Sequence, residues 1–206
     1  MKTLNSANGQ PKRRFKATEI AYAAMAAATL VGGKFVLSAI PNVEIVTLLC
    51  AVYGYVLGVT GLIAVYVFVV TETFIYGFGT WVISYFVHWP LVCVAFILLS
   101  HFTKPNRILY TAVAVVLTVA FGVFSSLVDV GLASGYFENF AARFAVYYVR
   151  GIYFYIAQIV TNLVVFPTLF VPISKAVARV TRRPYDRYSS GRAAVSETEL
   201  QAPHER

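Results

Sequence analysis

Charge is scarce in this chain. Only 13% of its 206 residues are Asp, Glu, Lys or Arg, while 59% are hydrophobic and the mean hydropathy is +0.70. A water-soluble domain cannot hide that much apolar surface, because a packed domain of about 150 residues still leaves roughly a third of its chain surface wet. Acidic residues are the rarer sign, nine against 17 Lys and Arg. Cysteine occurs twice, at Cys50 and Cys93, inside apolar runs and without CxxC spacing, which argues against a disulfide framework and a zinc site. The three histidines, His88, His101 and His204, stand apart, so no HExxH pattern exists. No GxSxG turn, P-loop, GxGxxG run or pair of catalytic carboxylates is present. These absences weigh against an enzyme, imply no catalytic residue, metal or cofactor, and leave the chain unable by itself to couple ATP hydrolysis to anything.

What the chain does have is long apolar runs. A helix needs about 20 mostly apolar residues to cross the hydrocarbon core, and six candidates lie between Gly, Pro or charged breaks: 18–40, 43–59, 61–77, 81–100, 108–128 and 144–173. The fold class predicted is an all-α integral membrane protein, a six-transmembrane-helix bundle over 18–180. A polar cytoplasmic tail (1–17) precedes it and a disordered cytoplasmic tail (181–206), rich in Arg, Ser and Glu, follows. The second and third runs are short, and their joint at Gly58 to Gly61 predicts a tight hairpin that does not reach fully through the membrane. The polar start, with no small-residue cleavage site after a short apolar core, reads as a retained first span rather than a signal peptide.

Lys and Arg collect on the cytoplasmic side of spans. Six spans place every basic residue inside except Lys34, Arg143 and Arg150, which predicts a multi-pass cell-membrane protein with cytoplasmic N and C termini. The net charge of +8 is then mainly a topology signal and an anchor to anionic lipid. Nucleic acid, the other partner of a basic chain, is not expected.

The three exceptions need their own account. An ionisable group within a span costs about 2.5 to 3.5 kcal/mol on insertion scales and faces a protein interior or a wet cavity. At 1.5 Å per residue, Lys34, Glu72, His88, Asp129 and Arg150 all fall within about 12 Å of the outer boundary. They border either a solute cavity or structural ion pairs. Around them Asn42, Glu44, Trp81 and Tyr153, with other outer aromatics, supply walls and polar tips suited to a small polar molecule. The expected substrate-binding set is thus Lys34, Asn42, Glu44, Glu72, Trp81, His88, Asp129, Arg150 and Tyr153. Trp and Tyr also gather at membrane interfaces for purely physical reasons, so some of these are belt residues. Pro90, Pro167 and Pro172 are read as ordinary helix breaks or bends.

The first span carries Ala23, Ala24, Ala26, Ala27 and Ala28, then Gly32 and Gly33. Ala23 and Ala27, or Ala24 and Ala28, stack at i and i+4 into a small-residue face that lets another helix approach closely. It either packs within the bundle or docks a separate subunit.

A chain of this size with six spans, this Ala-rich first span and a Pro41-Asn42-Val43-Glu44 turn opening the second resembles the substrate-binding S component of an energy-coupling factor transporter. The resemblance covers roughly residues 18–179. It implies capture of a vitamin or related micronutrient on the outer side, and a complex with a membrane T component and two cytoplasmic ATPases. By position, Ala23, Ala24, Ala27 and Ala28 would meet the T component, and Pro41, Asn42 and Glu44 would cover the substrate site. A membrane enzyme or a non-transporting structural membrane protein is the alternative.

Overall fold

The apolar runs fold as helices. The computed structural model describes residues 16–40, 44–133 and 138–190. Among these are six α-helices of 12 residues or more and no strand: α1 (Ala17–Leu37), α2 (Val46–Leu57), α3 (Val59–Tyr76), α4 (Thr80–Phe102), α5 (Arg107–Val128) and α6 (Phe140–Thr181). A π-helical turn, Asp129–Ala133, continues α5. Asn106 caps α5, its side-chain oxygen accepting from the Ile108 and Leu109 amides at 3.0 and 3.2 Å, which satisfies two donors that a helix start leaves open.

Five of these helices are long and apolar enough to cross a bilayer. Helix α2 is not, since its 12 residues rise only about 18 Å against a hydrocarbon core of about 30 Å. All of its residues from Val46 to Leu57 are buried. Helices α1, α3, α4 and α6 surround it, so it touches protein rather than lipid and has no bilayer thickness to match. By length and composition five helices suffice to cross a bilayer, and α2 is a short helix enclosed by four of them, α1, α3, α4 and α6.

Glycine makes the inner helix possible. Gly58 alone joins α2 to α3 at φ +61°, a left-handed conformation that L side chains rarely adopt. A Cβ on Gly61 would run into the backbone of Tyr53, and one on Gly54 would run into the Cys93 carbonyl of α4. The hairpin is as tight as its joint suggested, and the close approach is what small residues permit between membrane helices.

One end of the bundle is tied by arginine. Arg183 donates to the Leu57 carbonyl, to Thr60 Oγ1 at 3.2 Å and to Glu19 Oε1 at 3.4 Å, while Arg187 donates to the Val56 carbonyl at 2.5 Å. The start of α1, the α2–α3 joint and the segment after α6 thus meet at one end. The guanidinium groups satisfy carbonyls that the end of α2 leaves open, and Tyr185 packs against Tyr55 at 5.8 Å; residues 191–206 of the expected 181–206 tail lie outside the described residues.

Pro90 lies inside α4, and Pro167 and Pro172 lie inside α6, so neither helix ends at them and, of the two expected readings, break or bend, the break falls away. A helix in an apolar surround cannot simply stop, because freed backbone groups find no water there. Helix α6 runs on for 42 residues, and its buried positions Asn162, Phe166, Phe170, Ser174 and Ala178 recur every fourth residue. Phe166 and Phe170 meet Phe96 of α4 at 5.7 and 5.4 Å, and Tyr110 of α5 lies 4.9 Å from Phe170.

Two outcomes follow from this packing. Gly54→Ala and Gly61→Ala should each lower stability by about 1–3 kcal/mol through overpacking, seen as a lower thermal midpoint in detergent. Gly32→Ala, with nothing within 4 Å of the added Cβ, should not. Single cysteines at Lys16 and Ser190 should react with an impermeant thiol reagent from one side of the membrane and those at Ser38 and Phe78 from the other, with Cys50 and Cys93 silent because both are buried.

Candidate functional site

At the end of the bundle opposite Arg183, the last turns of α1 and α3 bring two charges together. The Lys34 ammonium donates to Glu72 Oε2. The side chain of Glu72 is 1% exposed and that of Lys34 is 23% exposed, so the carboxylate is sealed while the ammonium still reaches open space. That space is a cavity of about 300 Å³ lined by Lys34, Ser38, Tyr76, Trp81 and Tyr85. The Lys34 Nζ lies 5.1 Å from the centre of the Tyr76 ring and 4.8 Å from that of Tyr85, within the range where ring faces attract a cation.

Glu44, just ahead of α2, completes the cluster. Burial pushes its carboxyl up to about 7, Lys34 draws it back down and Glu72 raises it again. Desolvation disfavours the charged form and is the largest cause. Behind the cavity, Trp81, Tyr85 and Trp89 stack edge to face along α4, with centroids 5.1 and 5.4 Å apart. The spacing of four residues puts all three on one helix face.

The other expected site residues do not join this cluster. Asp129 accepts a hydrogen bond from Thr80 Oγ1 at 2.5 Å, tying the start of α4 to the end of α5. His88 is buried against Phe121 and Trp89, at 4.5 and 4.8 Å. Arg150 and Tyr153 lie exposed on the upper part of α6. Asn42 lies outside the described residues. Of the nine residues read from sequence, Lys34, Glu44, Glu72 and Trp81 come together. Tyr76, Tyr85 and Ser38 line the same cavity without having been in that set, and the i, i+4 step from Trp81 was the sequence signal for Tyr85.

The small-residue face of α1 divides. Ala23 and Ala27 are buried at 7% and 4%, whereas Ala24 and Ala28 are exposed. Ala24, Ala27, Ala28, Val31, Gly32 and Phe35 form the α1 side of a groove of about 730 Å³, and Val67, Thr71 and Ile75 form its α3 side, with Ala27 at its buried floor. Glu72 and Tyr76 also line this groove, so groove and cavity share a wall.

Removing Lys34 alone strands a buried charge. Lys34→Ala should cost about 3–5 kcal/mol of stability, and the paired replacement Lys34→Met with Glu72→Gln should recover most of it, because an uncharged pair leaves nothing unpaired; thermal denaturation of the two variants checks this. A pH dependence follows from Glu44. Its folded-state carboxyl holds a proton more tightly than the ordinary 4.5, so the stabilisation is complete below about 4.5 and is lost as pH rises through about 7. Glu44→Gln should flatten the thermal midpoint across that window.

In comparison with known proteins, the chain matches no family model, no curated protein and no solved structure.

Proposed function

We propose that this protein is a solute-capturing subunit of a membrane importer, of the energy-coupling factor S type. The observation that carries the reading is the half-open cavity at one end of an apolar helix bundle, with the Lys34 ammonium exposed to it and the Glu72 carboxylate sealed behind it. A protein that spends a buried ion pair on the wall of a cavity has a polar group available to a small solute. With no nucleotide-binding motif in the chain, the work of release belongs to partners, a T component and two cytoplasmic ATPases. The solute is a vitamin or related micronutrient, taken at the outer face of the cell membrane, with both termini cytoplasmic.

The groove between α1 and α3 supports the same reading. Ala24, Ala28 and Gly32 recur at i, i+4 and i+8, and a helix seated on them gains close packing. Ala23 packs into the bundle itself, and Ala27, also buried, lies between bundle and groove.

The Lys34–Glu72 contact also favours a second reading, in which the charges only tie α1 to α3 and the protein is a structural membrane component. Native mass spectrometry of the purified protein separates the two. A transport subunit should carry a tightly held small molecule or copurify with ATPase subunits, and a purely structural protein should carry neither. Ala24→Leu and Ala28→Leu should weaken the partner complex while leaving solute binding by the isolated protein intact, read by copurification and by ligand retention. Ala23→Leu and Ala27→Leu should instead lower the thermal midpoint, through about 1–3 kcal/mol of overpacking.

A further inference from the structure

The groups that surround the Lys34 ammonium, on the wall of the cavity, are all of a kind that attracts a cation. Glu44 and Glu72 are acidic, and the rings of Tyr76 and Tyr85 turn toward a cation that both already contact. Aromatic faces carry the negative side of the ring quadrupole. Among the described residues of this cluster Lys34 is the positive group, set against the Glu72 carboxylate and a Glu44 carboxyl pushed up to about 7. An anion taking the place of the ammonium would meet the Glu72 carboxylate and two ring faces.

We propose that the cavity is a receptor for an organic cation, an amine or quaternary ammonium group of the solute taking the place of the Lys34 ammonium between Tyr76, Tyr85 and the Glu72 carboxylate. This rests on the solute-binding reading above and specifies the charge class of the solute. Lys34 is the tethered occupant of the empty site. Its flexible four-carbon stem lets the head move, and its side chain is already 23% exposed, so it can turn toward the cavity mouth when a second cation arrives. In the meantime it keeps Glu72 from being left as an unpaired buried charge. The cavity, at about 300 Å³, holds more than an ammonium group alone, leaving room for the body of a small solute beside Trp81 and Ser38. Glu44 adds a carboxyl that burial pushes up to about 7 and that a neighbouring cation draws back toward its charged form.

The tethered occupant has a second effect. A solute cation has to displace it, so weak cations are excluded and apparent affinity falls by the fraction of molecules in which Lys34 holds the site.

The test uses the full chain in detergent and three probes: choline, its neutral isostere 3,3-dimethylbutan-1-ol, and benzoate. Binding is read by titration calorimetry and by fluorescence of the two tryptophans, with the thermal midpoint measured for every variant. Choline should bind saturably and at least ten-fold more tightly than the alcohol, and benzoate should not bind. Tyr85→Leu should weaken choline about ten-fold, the order of one cation–π contact. The neutral pair Lys34→Met with Glu72→Gln, which removes the competing ammonium and also the carboxylate that receives the solute cation, should bind choline at least ten-fold more weakly than Lys34→Met alone, whose thermal midpoint choline should raise. Equal binding of choline and the alcohol overturns the proposal, as does benzoate binding that disappears in the neutral pair, and so does failure of all three probes with a folded protein. A protein that takes benzoate yet carries a small molecule or ATPase subunits on purification overturns the cation assignment and leaves the transport reading standing. Choline binding by a protein that carries neither supports the receptor and overturns transport.

Discussion

Glu72 is a carboxylate sealed among apolar helices, where an unpaired charge costs several kcal/mol even after the surroundings relax. Its partner has to come from another helix, and Lys34 of α1 is the ammonium that reaches it. That one requirement sets the rotation and height of α1 against α3, because a shift of either helix by a turn of about 5.4 Å would part the two groups. The consequences run outward from the pair. It places Lys34 over Tyr76 and Tyr85, opens the cavity above them, and leaves Ala24 and Ala28 turned away from the bundle toward the groove.

The opposite end is held by the same logic with the roles exchanged. There the groups needing partners are backbone carbonyls, at Val56 and Leu57, and the partners are the guanidinium groups of Arg187 and Arg183. Between these two ends α2 forms an apolar axle whose glycines let its neighbours come to backbone contact. Because it is enclosed, its length answers to the distance between the two polar ends rather than to lipid. A short helix suffices.

Cavity and groove meet at Tyr76, which lines both, while Glu72 lines the groove and holds the Lys34 of the cavity wall. Two further polar contacts, Thr80 with Asp129 and Asn162 with Thr118 at 2.8 Å, join α4 to α5 and α5 to α6, and each satisfies a polar group that lipid could not.

Much of this was legible in the residues alone. The length and apolarity of the runs determine an all-helical bundle, because a backbone in lipid has to satisfy its own hydrogen bonds. The Gly58 joint announces the hairpin, and Lys34, Glu44, Glu72 and Trp81 stand out as polar or amphipathic groups at one depth. Depth along a helix is set by residue number, so sequence reads it directly. Rotation about the helix axis and the choice of neighbour depend on how side chains from distant segments fill space, and tertiary structure decided these. It paired Lys34 with Glu72 rather than with Asp129, left Arg150 and Tyr153 on an outer face, brought in Tyr76 and Tyr85, and separated Ala24 and Ala28 from Ala23 and Ala27. It also carried α4 and α6 through their prolines, since whether a proline ends a helix depends on whether water or packed protein surrounds the carbonyl it frees.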